Sequence, residues 1–284
     1  MTFKIATTTA IRDKIFHRNS SSSSNGDATA MNGHTNGNTA NMPLAGKVAL
    51  ITGASKGIGR ATAVHLASQG ASIVVNYSSD ANAAEEVVGQ IGRERAFAVK
   101  ADAGSVKGVE DLVKQTVSRF GKIDILVPNA GILPMKDIET TTEADFDQCM
   151  TLNVKGPYFL VQKAIPFMPA GARIVLVSTT LCAASTVTPN YLLYLTSKGA
   201  IEQMTRVLAK QLGSKQIAVN AVAPGPTATE LFMKGKPEQV IKTISSFSPQ
   251  NRLGRPEEIA EVIAHLGVTS WMSGQIVRVN GGMA

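Results

Sequence analysis

From Leu44 onward, apolar segments of strand length alternate with segments of helical pattern, and this alternation limits the possible folds more than any other feature. Strands that are apolar at nearly every residue, such as IVLVS at 174–178, are typical of a parallel sheet that helices cover on both faces. The alternation indicates βαβ units, so the sequence predicts an α/β fold, a single doubly wound (Rossmann-type) domain with a parallel seven-stranded sheet. The predicted strands lie at 47–52, 72–76, 96–100, 123–127, 173–178, 218–222 and 275–279, and the predicted helices near 58–69, 80–92, 105–120, 143–168, 191–213 and 256–266.

A change of composition near residue 42 predicts where this domain begins. Residues 19–41 are almost entirely Ser, Asn, Gly, Thr and Ala, and such a segment buries too little apolar surface to offset the entropy of ordering. We therefore expect a disordered, low-complexity tail at 1–42 and one domain at 43–284. The first 18 residues are basic and Thr-rich, as in mitochondrial presequences, but poorly amphipathic. A cytoplasmic protein is therefore expected, with a mitochondrial one as the alternative.

Charge and hydropathy exclude several classes of protein. The chain has 28 basic and 21 acidic residues, but the basic residues are spread out rather than gathered in one run, so no nucleic-acid partner is predicted. No apolar run reaches the roughly 18 residues of a transmembrane helix, so no membrane partner is predicted. The two cysteines make no disulfide framework, and the four histidines lack the spacing of ligands, so no metal site is predicted.

A glycine-rich segment, TGASKGIG at 52–59, directly follows the first predicted strand and precedes a helical segment. Gly53 permits a tight turn, Gly57 lets the backbone approach a pyrophosphate, and Gly59 lets the helix lie close to the strand. The helix N-terminus then offers free N–H groups and a partial positive charge to phosphate. Because no Gly-Lys-Ser/Thr follows, this is not a Walker A loop, and the sequence predicts a dinucleotide site.

Further motifs follow in a fixed order along 43–284. They are AD at 101–102, NAG at 129–131, LNVKGP at 152–157, YLTSK at 194–198, APGPTATE at 223–230 and GQIVRVNGG at 274–282. With the glycine loop, they resemble the short-chain dehydrogenase/reductase family in its single-domain branch, and PGPTATELFMKGK at 224–236 is similar to its plant and fungal aldehyde- and ketone-reducing members. The resemblance implies an oxidoreductase that reversibly reduces a small-molecule aldehyde or ketone to an alcohol, assembled as a homo-oligomer (dimer or tetramer).

Tyr194 and Lys198 are the candidate pair for proton transfer. They are four residues apart on one face of a predicted helix, and no other tyrosine of the chain has a lysine at that spacing. A phenol with a pKa near ~10 transfers protons poorly at neutral pH, so a nearby ammonium and a bound nicotinamide ring are expected to lower its pKa. By the resemblance, Tyr194 donates and accepts the proton, and Lys198 also bonds the nicotinamide ribose.

The resemblance implies two more catalytic positions. A hydroxyl just past the fifth strand polarises the substrate carbonyl; counted from Arg173, that position falls on Thr179, whereas Ser178 supplies the residue type of the family, so both stay candidates. Asn153, in LNVKG, matches the member of the site that seats the lysine through a water relay. The alternative interpretation of Asn153 is an asparagine that caps or kinks a helix.

The end of the second strand bears on which nicotinamide cofactor is expected. An acidic residue there usually binds the adenosine ribose of NAD, but Asn76 and Tyr77 occupy the position. Asp80 is close in sequence and is better interpreted as the N-cap of the next helix. Lys56 and either Ser78 or Ser79 would instead meet a 2′-phosphate, so NADP(H) is the expected cofactor. A solvated loop cation is the alternative interpretation of Lys56.

The remaining cofactor contacts are implied by the resemblance alone. Asp102 matches the residue at the adenine edge, Asn129 braces the end of the fourth strand, and Gly225, Thr227 and Thr229 border the nicotinamide and phosphates. The full predicted cofactor set is Gly53, Ser55, Lys56, Gly57, Ile58, Gly59, Ser78, Asp102, Asn129, Gly131, Tyr194, Lys198, Gly225, Thr227 and Thr229.

Residues 230–250 are expected, by the same resemblance, to form a lid over the substrate. Lys234 or Lys236 could reach a carboxylate there, although the site is expected to be more apolar than charged. A 3-oxoacyl thioester reductase, a secondary-metabolite ketone reductase and a nucleotide-binding member repurposed for another role are the alternatives. The apolar lid residues available to face a substrate are Leu231, Phe232, Met233, Val240, Ile241 and Phe247.

Overall fold

The computed structural model describes residues 42–284, so the expectations for the tail and for a targeting segment fall on residues outside the described part of the chain. No helix within 42–284 is long and apolar enough to cross a membrane. In chain order, the elements are β1 (Val48–Ile51), α1 (Gly57–Ser68), β2 (Ser72–Tyr77), α2 (Ala81–Ile91), β3 (Ala96–Lys100), α3 (Val106–Phe120), β4 (Ile125–Val127), α4 (Glu143–Met150), α5 (Gly156–Ala164), β5 (Arg173–Val177), α6 (Leu192–Leu212), β6 (Ala218–Pro224), α7 (Glu230–Met233), α8 (Glu238–Ser245), α9 (Pro256–Val268) and β7 (Ile276–Val279).

The seven strands form one sheet in the order β3-β2-β1-β4-β5-β6-β7, with every neighbouring pair parallel. The predicted doubly wound sheet is therefore confirmed, and the strand bounds agree with the predicted ones to within two residues. The chain runs outward from β1 to β3 and then returns to place β4 on the other side of β1. Such a reversal opens a crevice at the carboxyl ends of the two central strands.

Helices cover both faces of the sheet and form a separate core on each. One core joins the sheet to α1, α2 and α9, through residues such as Leu66, Val87 and Ile263. The other joins it to α3, α5 and α6, through residues such as Leu112 and Leu160. Because both faces of the central strands are covered, these strands are apolar at nearly every position, which explains the pattern of the sequence.

The segment predicted as one helix at 143–168 is broken in the structure. A π-helical turn, Thr151–Lys155, separates α4 from α5, and a 3₁₀ turn, Ile165–Phe167, follows α5. Pro157 has no N–H to donate to the carbonyl of Asn153, and the π turn accommodates this loss. The prediction of a single helix was therefore wrong, and Asn153 lies within the π turn that divides it.

Asp124 stabilises the edge of the sheet opposite to the crevice. Its buried carboxylate accepts a hydrogen bond from the Val48 amide at 2.9 Å and lies 3.2 Å from Lys47 Nζ and 2.9 Å from Lys122 Nζ. Its backbone also bonds β1 and β5, since its N–H donates to the Val48 carbonyl and its carbonyl accepts from the Arg173 N–H. Three neighbouring strands are thus fixed at the residue just before β4.

Substitution of Asp124 by Ala should lower the free energy of unfolding by about 2 kcal/mol or more, because the buried Val48 amide loses its acceptor and two ammonium groups lose their counter-charge. Urea denaturation measures the change. Asp111→Ala, which removes an exposed ion pair with Lys107 on α3, is the matched control and should change it by less than about 0.5 kcal/mol. Equal effects of the two substitutions would contradict this role of Asp124.

Candidate active site

Two adjoining cavities lie at the carboxyl ends of the strands. The first, about 520 Å³, runs along the glycine loop, and the second, about 430 Å³, lies between the ends of β5 and β6 and the segment that contains α7 and α8. They meet in the crevice between β1 and β4, since they share six wall residues, Ile58, Asn129, Gly131, Ile132, Thr229 and Leu231. We refer to them as the cofactor cleft and the substrate cavity.

The glycine loop leaves no room for side chains where the backbone turns. Gly53 and Gly57 have φ of +60° and +54°, a left-handed conformation that favours glycine. A Cβ on Gly59 would lie 2.3 Å from the Gly53 carbonyl oxygen and 2.6 Å from Asn129 Nδ2. The beginning of α1 therefore lies directly against the end of β1. A ligand phosphate can approach the N-terminal amides of α1.

The predicted cofactor residues divide between the two cavities. Gly59 belongs to neither wall, since it lies behind the loop against Gly53. Gly225, Thr227, Tyr194 and Lys198 line the substrate cavity. The cofactor cleft is lined by Gly53, Ser55, Lys56, Gly57, Ile58, Ser78, Asp102, Asn129, Gly131 and Thr229.

Asn129 ties the end of β4 to the glycine loop. Its Nδ2 donates to the carbonyls of Thr52 at 2.8 Å and Gly53 at 3.2 Å, and its backbone N–H donates to Thr52 Oγ1 at 2.9 Å. The same hydroxyl accepts from the Ala130 N–H at 3.0 Å. The side chain that was expected to brace the end of the fourth strand thus also holds the loop after the first.

The end of β2 presents no acidic group to the cofactor cleft. Asn76 is buried, and its Nδ2 donates to the carbonyls of Val99 at 3.2 Å and Ala101 at 3.0 Å, while its Oδ1 accepts from the Gly53 N–H at 3.3 Å. Asp80 caps α2, as predicted, by accepting from the Ala83 N–H at 3.0 Å. Asn76 therefore supports the glycine loop from the wall of the cofactor cleft.

Lys56 bridges two carboxylates across the mouth of the cofactor cleft. Its Nζ lies 3.0 Å from Asp80 Oδ2 and 3.1 Å from Glu230 Oε2, the first residue of α7. Hydrogen bonds and charge attraction from these two groups raise the pKa of Lys56. The sequence did not indicate the contact with Glu230, which joins the glycine loop to the predicted lid.

Lys198 is buried beneath Tyr194 on the first turns of α6. Its Nζ donates to the Val177 carbonyl at 2.8 Å and lies 5.7 Å from the centre of the Tyr194 ring. Desolvation lowers the pKa of Lys198 to about 8. Desolvation likewise raises the pKa of Tyr194 well above its ordinary value, and the nearby Thr179 hydroxyl opposes this only in part. In the chain alone, burial outweighs the neighbouring groups, and the lowered tyrosine pKa expected with a bound nicotinamide ring stays a prediction.

The two candidate hydroxyls after β5 have different partners. Ser178 Oγ donates to Glu202 Oε1 of α6 at 3.1 Å, whereas the Thr179 hydroxyl lies near Tyr194 and acts to lower its pKa. Both residues line the substrate cavity, but successive side chains of an extended chain point to opposite sides, and it is the side chain of Thr179 that lies near the tyrosine. The structure brings Thr179, Tyr194 and Lys198 together and ties Ser178 to α6.

Asn153 connects the π turn to two other parts of the site. Its Oδ1 accepts from the Ile132 N–H at 2.9 Å, and its Nδ2 donates to the Ile132 carbonyl at 2.9 Å and to Ser197 Oγ at 3.0 Å. A Cβ added to Gly131 would lie 3.1 Å from Asn153 Oδ1 and 3.8 Å from Lys198 Nζ. The asparagine thus fixes the loop after β4 against the helix that carries the lysine.

The substrate cavity has mostly apolar walls from the segment 230–250. Of the six residues predicted to be available, Leu231, Phe232, Val240 and Phe247 line it, but Met233 and Ile241 do not. The two lysines separate, since Lys236 lines the substrate cavity and Lys234 lines the cofactor cleft. Wall residues that the sequence did not indicate are Tyr191, Ile244 and Met283.

Sequence reasoning also missed two polar residues that hold the site together. Ser197, next to Lys198, accepts from Asn153 and donates to the Tyr194 carbonyl at 2.6 Å. Glu202 lies one helical turn beyond Lys198 and accepts from Ser178. The spacing of Glu202 from Lys198 on one helix face was the available signal, whereas nothing in the sequence indicates the contacts of Ser197.

Comparisons with known proteins agree with this architecture. The model of a family described as enoyl-(acyl carrier protein) reductase matches residues 53–284. The chain is 40% identical over 255 residues to the hydroxynaphthalene reductase-like protein Arp2 of Metarhizium guizhouense, covering 84% of this chain and 95% of that protein.

Two solved structures are also similar. The short-chain dehydrogenase/reductase from Serratia marcescens has a TM-score of 0.81 and 33% identity, over 85% of this chain and 99% of its own. The angucycline C-6 ketoreductase LanV with bound NADP has a TM-score of 0.79 and 39% identity, over 85% of this chain and 96% of its own.

The burial of Lys198 should make stability depend on pH. The pKa of Lys198 is about 8 in the folded chain, and its ordinary value is 10.5. Below pH 8 the folded state therefore carries the full free-energy cost of the buried charge, and this cost falls as pH rises from 8 to 10.5. Lys198→Met should therefore raise the free energy of unfolding at pH 7 by up to about 3 kcal/mol, and the gain should shrink above pH 8.

Urea denaturation of both chains between pH 7 and pH 10 measures this difference. Lys210→Met, which removes an exposed lysine of the same helix, is the control and should change stability little at any of these pH values. A Lys198→Met chain that is less stable than wild type at pH 7 would show that the ammonium is not desolvated as described.

Proposed function

The chain belongs to the short-chain dehydrogenase/reductase family, and we propose that it is an NADPH-dependent reductase that converts a ketone or aldehyde to an alcohol. The observation that carries the proposal is the pair of hydroxyl residues, Thr179 and Tyr194, that lie near each other in the wall of a largely apolar cavity beside a buried lysine. Two hydroxyls that meet at one point can both donate to a single carbonyl oxygen.

Each residue of the site has a role in this reaction. Thr179 orients and polarises the carbonyl, and Tyr194 gives its proton to the oxygen as the alcohol forms. The buried Lys198 provides a positive charge that favours the tyrosinate left behind, and Asn153 keeps the lysine-bearing helix in place through Ser197 and Ile132. Apolar walls exclude water from the oxygen. The nicotinamide cofactor, when bound, supplies the hydride.

The cofactor cleft fits a dinucleotide, and its polar groups favour the phosphorylated form. The backbone of the glycine loop has no room for a Cβ at Gly59, so a pyrophosphate can come close to the α1 amides. The position at the end of β2 that would hold a ribose by a carboxylate is taken by the fully bonded Asn76. Lys56 and Ser78 line the cleft beyond it and are suited to a 2′-phosphate.

The description of the matching family model supports a second candidate, reduction of a carbon–carbon double bond in an enoyl thioester. In both reactions a hydroxyl of the protein donates to an oxygen of the substrate, so the products must be identified to distinguish the two reactions. We favour carbonyl reduction because the Thr179 and Tyr194 hydroxyls lie together, and because similar proteins are described as ketoreductase and hydroxynaphthalene reductase. The homo-oligomer and the cytoplasmic location expected from the sequence stay predictions.

Tyr194→Phe and Thr179→Val should each lower kcat for ketone reduction by roughly 100-fold or more, because each removes a donor to the developing alkoxide. Absorbance of NADPH during turnover of a panel of aromatic ketones, diketones and 3-oxo thioesters measures the rate, and mass spectrometry distinguishes alcohols from reduced alkenes. Ser178→Ala should lower kcat far less, since its hydroxyl faces Glu202. A Ser178→Ala chain as impaired as Thr179→Val would overturn the assignment.

Lys56→Gln should weaken NADPH binding about tenfold or less and leave NADH binding nearly unchanged, because only NADPH carries a 2′-phosphate for the exposed ammonium to bind. Quenching of protein fluorescence during titration gives both dissociation constants, so that NADH is the internal control. If both cofactors lose affinity equally, Lys56 acts on the shared part of the dinucleotide.

A further inference from the structure

Lys236 is a cation among the apolar lid residues of the substrate cavity. It follows α7 and lines the cavity together with Phe232, Val240, Ile244 and Phe247. Its Nζ donates to the Phe232 carbonyl at 2.6 Å and lies 4.6 Å from the centre of the Phe232 ring. The side chain is thus folded back over α7 and only partly exposed, rather than extended into solvent.

The charge of Lys236 has no carboxylate to balance it within residues 42–284. Lys56, at the mouth of the cofactor cleft, is paired with Asp80 and Glu230. Among the described residues no ion pair involves Lys236, and no acidic residue is part of the described wall of the cavity. Burial lowers the pKa of Lys236, and no charged group opposes this direction. A partly desolvated ammonium without a counter-charge is stabilised by an anion that enters the cavity.

The cavity therefore has two different polar features in an apolar surround. Thr179 and Tyr194 offer hydroxyls for a carbonyl oxygen, and Lys236 offers an ammonium from the lid side. An ammonium that bonds one backbone carbonyl keeps further N–H donors for a second acceptor. At about 430 Å³, the space is within the range of small-molecule sites.

We propose that Lys236 is a specificity-determining residue that binds an anionic oxygen of the substrate, a carboxylate or an ionised phenol, on an aromatic ketone whose carbonyl lies at Thr179 and Tyr194. This inference rests on the proposed function for the position of the carbonyl, but the anion site itself does not depend on turnover. The aromatic part is expected to contact the Phe232 and Phe247 side chains and the aliphatic wall.

The test compares three ketones on one bicyclic scaffold, a tetralone carboxylate, its methyl ester and a tetralone with an acidic phenol. Lys236→Met keeps the length and apolar stem of the side chain but removes the charge. It should raise KM for the carboxylate about tenfold or more, the loss expected for a hydrogen bond between charged groups, and leave KM for the ester and both kcat values nearly unchanged. Lys236→Arg should restore most of the affinity for the carboxylate.

The phenol distinguishes the two sources of the anion. If Lys236→Met raises KM for the phenol only at pH values above the pKa of its hydroxyl, the site binds the ionised form of the phenol. If the substitution raises KM for the carboxylate alone, the site is selective for carboxylates. Lys242→Met, which removes an exposed charge of α8 that lines neither cavity, is the matched control and should change neither KM nor kcat.

Binding of 2-naphthoate and methyl 2-naphthoate, measured by calorimetry, tests the anion site without turnover. Wild type should bind the acid more tightly than the ester, and Lys236→Met should abolish the preference. If no ketone is reduced but this preference is present, the proposed reaction fails while the anion site stands. The inference is overturned if wild type binds the ester at least as tightly as the acid, or if Lys236→Met weakens acid and ester equally, the result expected of a purely structural lysine.

Discussion

All seven strands run in one direction, and this constraint determines where a functional site can form. In sheet order, the neighbours β1, β4, β5 and β6 end side by side, and each is followed by residues of the site. The glycine loop follows β1, Asn129 follows β4, Thr179 follows β5, and Gly225 follows β6. Residues far apart in sequence meet because parallel strands place their carboxyl ends on one edge.

The amino and carboxyl edges of the sheet each contain a buried charged side chain, but within the described chain only the one at the amino edge has partners of opposite charge. At the amino edge, the Asp124 carboxylate has an amide and two lysines as partners, and these contacts offset the cost of burying its charge. At the carboxyl edge, Lys198 is buried with a single carbonyl as its hydrogen-bond partner, and its lowered pKa records the cost. In the proposed reaction this uncompensated positive charge favours the tyrosinate, and the rest of the fold supplies the stability that its burial removes.

The acidic and basic residues of the site are also separated in space. Carboxylates lie at the outer mouth, where Asp80 and Glu230 flank Lys56, and the described wall of the substrate cavity contains lysines without acids. Because Glu230 begins α7 and Lys236 follows its end, one short helix contributes to both the mouth of the cofactor cleft and the wall of the substrate cavity. The lid segment therefore connects the two halves of the site.

The sequence by itself determined the strands, most helices and the glycine loop, because these depend on local periodicity and on backbone freedom at single residues. Only the tertiary structure decided which neighbouring side chain faces the site: Thr179 rather than Ser178 meets Tyr194, and Lys236 rather than Lys234 enters the substrate cavity. Residues one or two apart share the same local pattern, but their directions depend on the strand end and helix against which they lie. The broken helix at Thr151–Lys155 and the raised pKa of Tyr194 depend likewise on neighbours and burial that arise only when distant segments come together.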